Sequence, residues 1–256
     1  MENFLDLSVV AWAACLGVAV GAGFVKGLVG FAMPMVMISG LSSVVAPELA
    51  LAGLILPTVV TNLWQALRQG PRAAVYSMNK FKTFLGVGLI FLLASAQLVR
   101  FIDGAALLLL IGVPISLYAV LTLAGLTLRL PKGAGPKAEA AIGAVAGFFG
   151  GISGVWGPPT VAMLMARETE KGEQMRVQGV IYGLGALALT AAHLGSGLLN
   201  AATAPFSLAL VVPAILGLWL GFRLHDRIDQ PAFRKATLAV LLLAGLNLVR
   251  RGLMGG

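Results

Sequence analysis

The sequence predicts an all-α, polytopic membrane protein built from two inverted-topology repeats with broken or re-entrant helices. Three observations predict it. The composition suits a chain dissolved in lipid, the apolar residues gather into about ten runs, and one glycine- and proline-rich stretch occurs twice.

Of 256 residues, 59% are hydrophobic and only 11% are charged. The mean hydropathy is +0.94. A soluble domain carries about a quarter charged residues. No water-soluble fold of this length can cover so much apolar surface, so a bilayer is the natural solvent. The formal net charge is +8. It does not point to nucleic acid, because the basic residues stand in short loops between apolar runs, where they set the orientation of membrane spans. Cys15 is the single cysteine. An intramolecular disulfide and a cysteine metal cluster are therefore excluded, and Cys15 is expected to be a small core residue. Glu2 and Asp6 precede the first apolar run, where a secretory signal would carry Lys or Arg. That run is expected to remain in the mature protein.

Taken in order, the apolar runs of the first half lie at about 7–29, 32–45, 47–67, 83–100 and 104–128. Those of the second lie at about 138–153, 158–166, 177–199, 205–222 and 235–250. A full span needs about 20 residues. The second, sixth and seventh runs are too short, or too interrupted by Gly and Pro, and read as half-helices or re-entrant pieces. Residues 1–130 and 131–256 form the two transmembrane repeats of one integrated membrane domain.

The connections are short and leave no room for a soluble domain. Four read as basic loops: 68–82 (Arg68, Arg72, Lys80, Lys82), 129–137 (Arg129, Lys132, Lys137), 167–176 (Arg167, Lys171, Arg176) and 223–235 (Arg223, Arg227, Arg234, Lys235). The connections at 45–48, 100–104 and 199–205 are poor in Lys and Arg. The positive-inside rule places the basic group in the cytoplasm. The runs at 47–67 and 177–199 then start on opposite sides, so the halves have opposite orientations. Arg250 and Arg251 would fall outside, against the rule.

The repeat is read directly. AGFVKGLVGFAMP starts at Ala22, and AGFFGGISGVWGP starts at Ala146. At a constant offset of 124, Ala22, Gly23, Phe24, Gly27, Gly30 and Pro34 match Ala146, Gly147, Phe148, Gly151, Gly154 and Pro158. Glycine tolerates unusual dihedrals, and proline removes an N–H, so together they break a helix. A break at membrane depth exposes amides that lipid cannot satisfy, so they must face protein or a watery cavity. Half-helix N-termini carry partial positive charge and suit an anion. Paired breaks in two halves are the sequence mark of a transporter site, expected near the bilayer midplane. The spacing of Gly23 and Gly27, and of Gly147 and Gly151, also suits close helix packing.

Candidate substrate-binding residues follow. Lys26 lies in the first stretch; a buried charge there would attract an anion, whereas a position near the interface would let it snorkel. Its counterpart is Gly150, so the charge is asymmetric. Backbone N–H groups around Gly27 and Gly30, with Pro34 at the break, complete the first copy. Gly151, Ser153, Gly154, Trp156 and Pro158 make the second, where Ser153 can donate to an oxyanion and Trp156 can wall a pocket or mark an interface. Asn62, following Thr58 and Thr61 and followed by Gln65, and Gln178, with Tyr182, could contact substrate or bind helices together. His193 is the proton-coupling candidate, against an ordinary interhelical histidine. The only other histidine, His225, stands in a basic loop, so no metal site is expected. The sequence shows no paired carboxylates at depth, no nucleotide loop and no nucleophile–base set, which argues against an enzyme.

The two stretches, AGFVKGLVGFAMP (22–34) and AGFFGGISGVWGPP (146–159), resemble the duplicated signature of the TauE/SafE family of bacterial permeases, also called the toluene-sulfonate uptake permease family. The resemblance covers essentially the whole chain in length and segment order. In this sequence Lys26 stands among the glycines of the first copy. The resemblance implies export of sulfite, sulfoacetate or another organosulfonate across the bacterial inner membrane by alternating access. An anion channel and a proton-coupled importer of an organic anion are the alternatives. The expected partners are the lipid bilayer, a small anionic substrate (sulfite or organosulfonate) and a second copy in a homodimer, with no nucleic acid and no cofactor.

Overall fold

The computed structural model describes residues 7–96, 104–126, 135–153, 157–195 and 198–254. Among them every regular element is a helix: α1 (Val9–Val29), α2 (Met33–Leu41), α3 (Pro47–Leu67), α4 (Pro71–Lys80), α5 (Lys82–Ala96), α6 (Gly104–Leu123), α7 (Pro136–Ser153), α8 (Gly157–Ala166), α9 (Lys171–Gly195), α10 (Ala204–Ala209), α11 (Val211–Arg227) and α12 (Gln230–Met254). Four stretches are long and apolar enough to cross a bilayer: Val9–Val29, Leu49–Leu67, Ala204–Arg227 and Gln230–Met254. The chain is a polytopic helical membrane protein.

The predicted breaks fall where the glycines and prolines are. α1 starts behind Ser8, whose Oγ accepts from the Ala11 amide at 3.2 Å, and stops at Gly30, which takes a left-handed conformation (φ 89°). The Gly30 amide closes the helix by donating to the Lys26 carbonyl at 2.7 Å. Ala32 is also left-handed (φ 72°), and α2 resumes with Pro34 in its first turn. α2 and α8 hold 9 and 10 residues. At a rise of about 1.5 Å per residue, neither exceeds half the length of a bilayer core of about 30 Å.

The helix boundaries repeat with the sequence. The ends of α1 and α7 (Val29, Ser153), the starts of α2 and α8 (Met33, Gly157) and the starts of α3 and α9 (Pro47, Lys171) each stand 124 residues apart. These junctions correspond residue for residue, and the later helices overlap in part.

Two readings of the loops are corrected. Residues 71–80 form a helix, α4, which meets Lys82–Ser95 at a bend of 75°. Its buried positions are Ala74 and Ser77, followed by Phe81. The inward residues are small, and the outward ones mix Arg72, Asn79 and Lys80 with exposed Val75, Tyr76 and Met78, so the stretch forms no apolar run. His225 lies in the last turn of α11 and is buried, with Nδ1 3.2 Å from the Leu28 carbonyl at the end of α1.

The described residues divide into two compact units, and each takes helices from both halves of the sequence. The first comprises the chain up to Pro71 and Gly179–Asp229. In it α1 packs along α11 with interlocking glycines. A Cβ on Gly27 would lie 2.2 Å from the Leu218 carbonyl oxygen, and one on Gly217 would lie 2.0 Å from that of Val20. The core between α1, α2, α3 and α10 holds Cys15, Ala19, Met33, Met37, Leu54 and Phe206.

The second unit comprises Arg72–Gln178 and Gln230–Gly256. Here α5 packs along α7, and α6 along α12. The α5–α7 crossing is as close as that of α1 and α11: a Cβ on Gly147 would lie 2.0 Å from the Gly88 carbonyl oxygen. At the 124-residue offset α7 is the counterpart of α1, and α11 that of α5. The same pairing is therefore built twice, with the contributing halves exchanged. Side chains from the basic segments meet at one end of this unit: Lys80 pairs with Glu173 at 2.6 Å, Arg167 with Glu139 at 3.5 Å, and Arg176 donates to Ser77 Oγ at 2.7 Å.

Candidate functional site

The α1–α2 break of the first unit is braced by three residues near the C-terminal end of α3. Gln65 Nε2 donates to the Gly30 carbonyl at 3.0 Å. Thr61 Oγ1 lies 3.3 Å from Met33 Sδ and donates to its own Pro57 carbonyl at 2.6 Å. Asn62 Oδ1 accepts a hydrogen bond from Lys26 Nζ. The other end of the Asn62 amide, Nδ2, donates to the Tyr182 carbonyl of α9 at 3.3 Å. That second bond fixes which way the amide points, so its oxygen is held toward the lysine.

Lys26 is 1% exposed. It turns into the unit and does not snorkel to the surface. Among the described residues its ammonium meets an amide oxygen and no carboxylate. Asn62, Gln65, Thr61 and Thr58 are buried with it. Thr58, one turn before Asn62, has a buried Oγ1 without a hydrogen-bond partner. A lysine carries three N–H donors, and Asn62 Oδ1 is the acceptor that meets them here.

The remaining predicted residues are placed as follows. Gly27 lies within α1 and faces α11, where it permits the close crossing. Gly30 forms the turn, and Pro34 stands half-buried in the first turn of α2. Gly151 and Ser153 end α7 and Pro158 lies in α8, but their side chains fall outside the described residues, as do Gly154 and Trp156 entirely. Gln178 is fully buried on α9, in the second unit. His193 lies on α9, with its side chain outside the described residues.

The polar set belongs to one copy of the repeat. At the 124-residue offset Lys26, Thr61, Asn62 and Gln65 correspond to Gly150, Gly185, Ala186 and Leu189. Sequence reasoning separated Lys26 and Asn62 into two candidates, because 36 residues lie between them. Gln65 reads, with Asn62, as an amide that could contact substrate or bind helices together, and Thr58 is given no role of its own. Comparing α3 with α9 singles out Thr61, Asn62 and Gln65, but not Thr58, whose counterpart is Tyr182.

A multi-span helical bundle with broken, repeated helices and a charge enclosed at one break defines a membrane transport protein. Residues 15–248 match the family described as Sulfite exporter TauE/SafE, and the chain belongs to that family. No match was found among curated proteins or among solved structures.

Proposed function

We propose that this transporter exports a small sulfur-containing anion, sulfite or an organosulfonate, across a bacterial inner membrane, and that Lys26 and Asn62 form part of its binding site. The observation that carries the reading is the enclosed Lys26 ammonium at the Gly30–Ala32 break, with an amide for a partner. An uncompensated charge away from water is costly, and an anion offsets that cost. The family match supports sulfur oxyanions as the class. The free Thr58 hydroxyl adds a donor one turn along α3. An anion leaving a cell that is negative inside gains about 2.3 kcal/mol per 100 mV for each charge, so export is downhill without a coupled cation. The repeats 1–130 and 131–256 are proposed to insert in opposite orientations, supported by the repeated helix boundaries and the placement of the basic segments.

The test is efflux of labelled sulfite from liposomes carrying the purified protein into medium containing unlabelled sulfite, with sulfoacetate and sulfate as competitors. Saturable efflux, reduced at least about tenfold by Lys26→Ala, is expected, since tenfold is ~1.4 kcal/mol of lost stabilisation. Folded protein that moves neither sulfite nor sulfoacetate rejects this substrate class.

A further inference from the structure

The charge at Lys26 has a consequence for the transport cycle. A carrier that performs net transport must pass through a state closed to both sides, once loaded and once empty. With an anion bound, the Lys26 ammonium is paired in that state. Without one, it keeps only Asn62 Oδ1, a neutral acceptor whose amide is already committed to the Tyr182 carbonyl. Among the described residues no carboxylate reaches the ammonium: Asp226, in the same unit, pairs with Arg68. A buried charge lacking a counter-charge is strongly disfavoured. The closed state is thus accessible when loaded and penalised when empty. The asymmetry of the repeat sharpens this, since Gly150 and Ala186 at the corresponding positions supply no second charge or amide.

We infer that this chain works as an anion exchanger, in which the Lys26–Asn62 pair blocks return of the empty carrier and makes release of one anion depend on uptake of another on the opposite face. The inference rests on the reading above that the Lys26 site binds the transported anion. The counter-anion is any small oxyanion that can pair with an ammonium and accept from the same donors. The residue that sets the mode of transport is Asn62: an isosteric carboxylate there would be an internal counter-ion and would release the empty carrier.

The experiment uses the full chain in liposomes loaded with labelled sulfite under nitrogen, with the membrane potential clamped at zero. The outside medium contains either gluconate alone or gluconate with unlabelled sulfite. Wild type is expected to release label at least about tenfold faster into sulfite than into gluconate, the size of effect that ~1.4 kcal/mol in the empty closed state produces. Asn62→Asp is expected to bring that ratio to within about twofold, with both rates lowered by weaker anion binding, and Lys26→Arg to preserve the dependence. Equal wild-type efflux into the two media overturns exchange and leaves the transport reading standing. Full dependence in a folded Asn62→Asp protein overturns the role of the pair. No efflux into either medium defeats the sulfite reading and this inference with it.

Discussion

Ser207 closes the hydrogen-bond gap that Pro57 opens in α3. Proline has no N–H, so the carbonyl of Gly53, four residues earlier, lacks its helical donor. Ser207 Oγ donates to that carbonyl at 3.1 Å and accepts from the Leu56 amide at 3.1 Å. One hydroxyl thus satisfies the carbonyl that the proline leaves and takes a second bond from the same turn, in a segment where lipid could offer neither. The ring of Phe206 packs beside it against Gly53, close enough that a Cβ there would meet Cε1 at 2.6 Å.

Ser207→Ala should therefore destabilise the protein by about 1–3 kcal/mol, the cost of a buried acceptor left unpaired. Pro57→Ala restores the donor to Gly53, so the double variant should lose less than Ser207→Ala alone. Thermal unfolding of the four proteins in one detergent measures the coupling. Additive losses would show that Ser207 acts elsewhere.

Asn62→Leu removes the oxygen that faces Lys26 and should cost about 1.5–3 kcal/mol, the range for a hydrogen bond to a charged group. Adding Lys26→Met removes the stranded charge and should recover most of that loss. A double variant less stable than Asn62→Leu would contradict the pairing.

Glycines on α1 should divide by what they face. Gly27→Ala drives a methyl into the Leu218 carbonyl and should cost about 3 kcal/mol or more by overpacking. Gly21, on the same helix, has open space at its Cβ position, so Gly21→Ala should be neutral or stabilise by up to about 1 kcal/mol through helix propensity. Expression and melting temperature of the two variants separate them.

Glu139, in the first turn of α7, accepts from the Phe84 amide at 3.2 Å, one of the orphan donors at the start of α5. Glu139→Ala should cost about 1–3 kcal/mol. Glu139→Gln keeps an acceptor oxygen and should cost less, because its ion pair with Arg167 is a long one at 3.5 Å. Equal losses in thermal unfolding would assign the effect to charge and not to the cap.

Local chemistry was enough to determine the helical, membrane-spanning class, because it follows from summed apolar surface. It also placed the α1 break, because Gly30 and Pro34 act on their own backbones. α3 was legible to its boundaries, 47–67, since a proline starts it and Arg68 ends its apolar run. α4 was hidden, because its anchoring residues are small and charged and polar residues interrupt its apolar ones. Tertiary structure decided what glycine spacing left open: Gly27 lets α1 lie against α11. It also decided which polar groups meet. Lys26 reads as an isolated charge on an apolar helix and Asn62 as one of a polar group with Thr58, Thr61 and Gln65, and nothing local to either distinguishes a partner from a neighbour. Only the packing of α3 along the break brings them together, because a contact across 36 residues depends on where the chain turns back and not on the residues that make it.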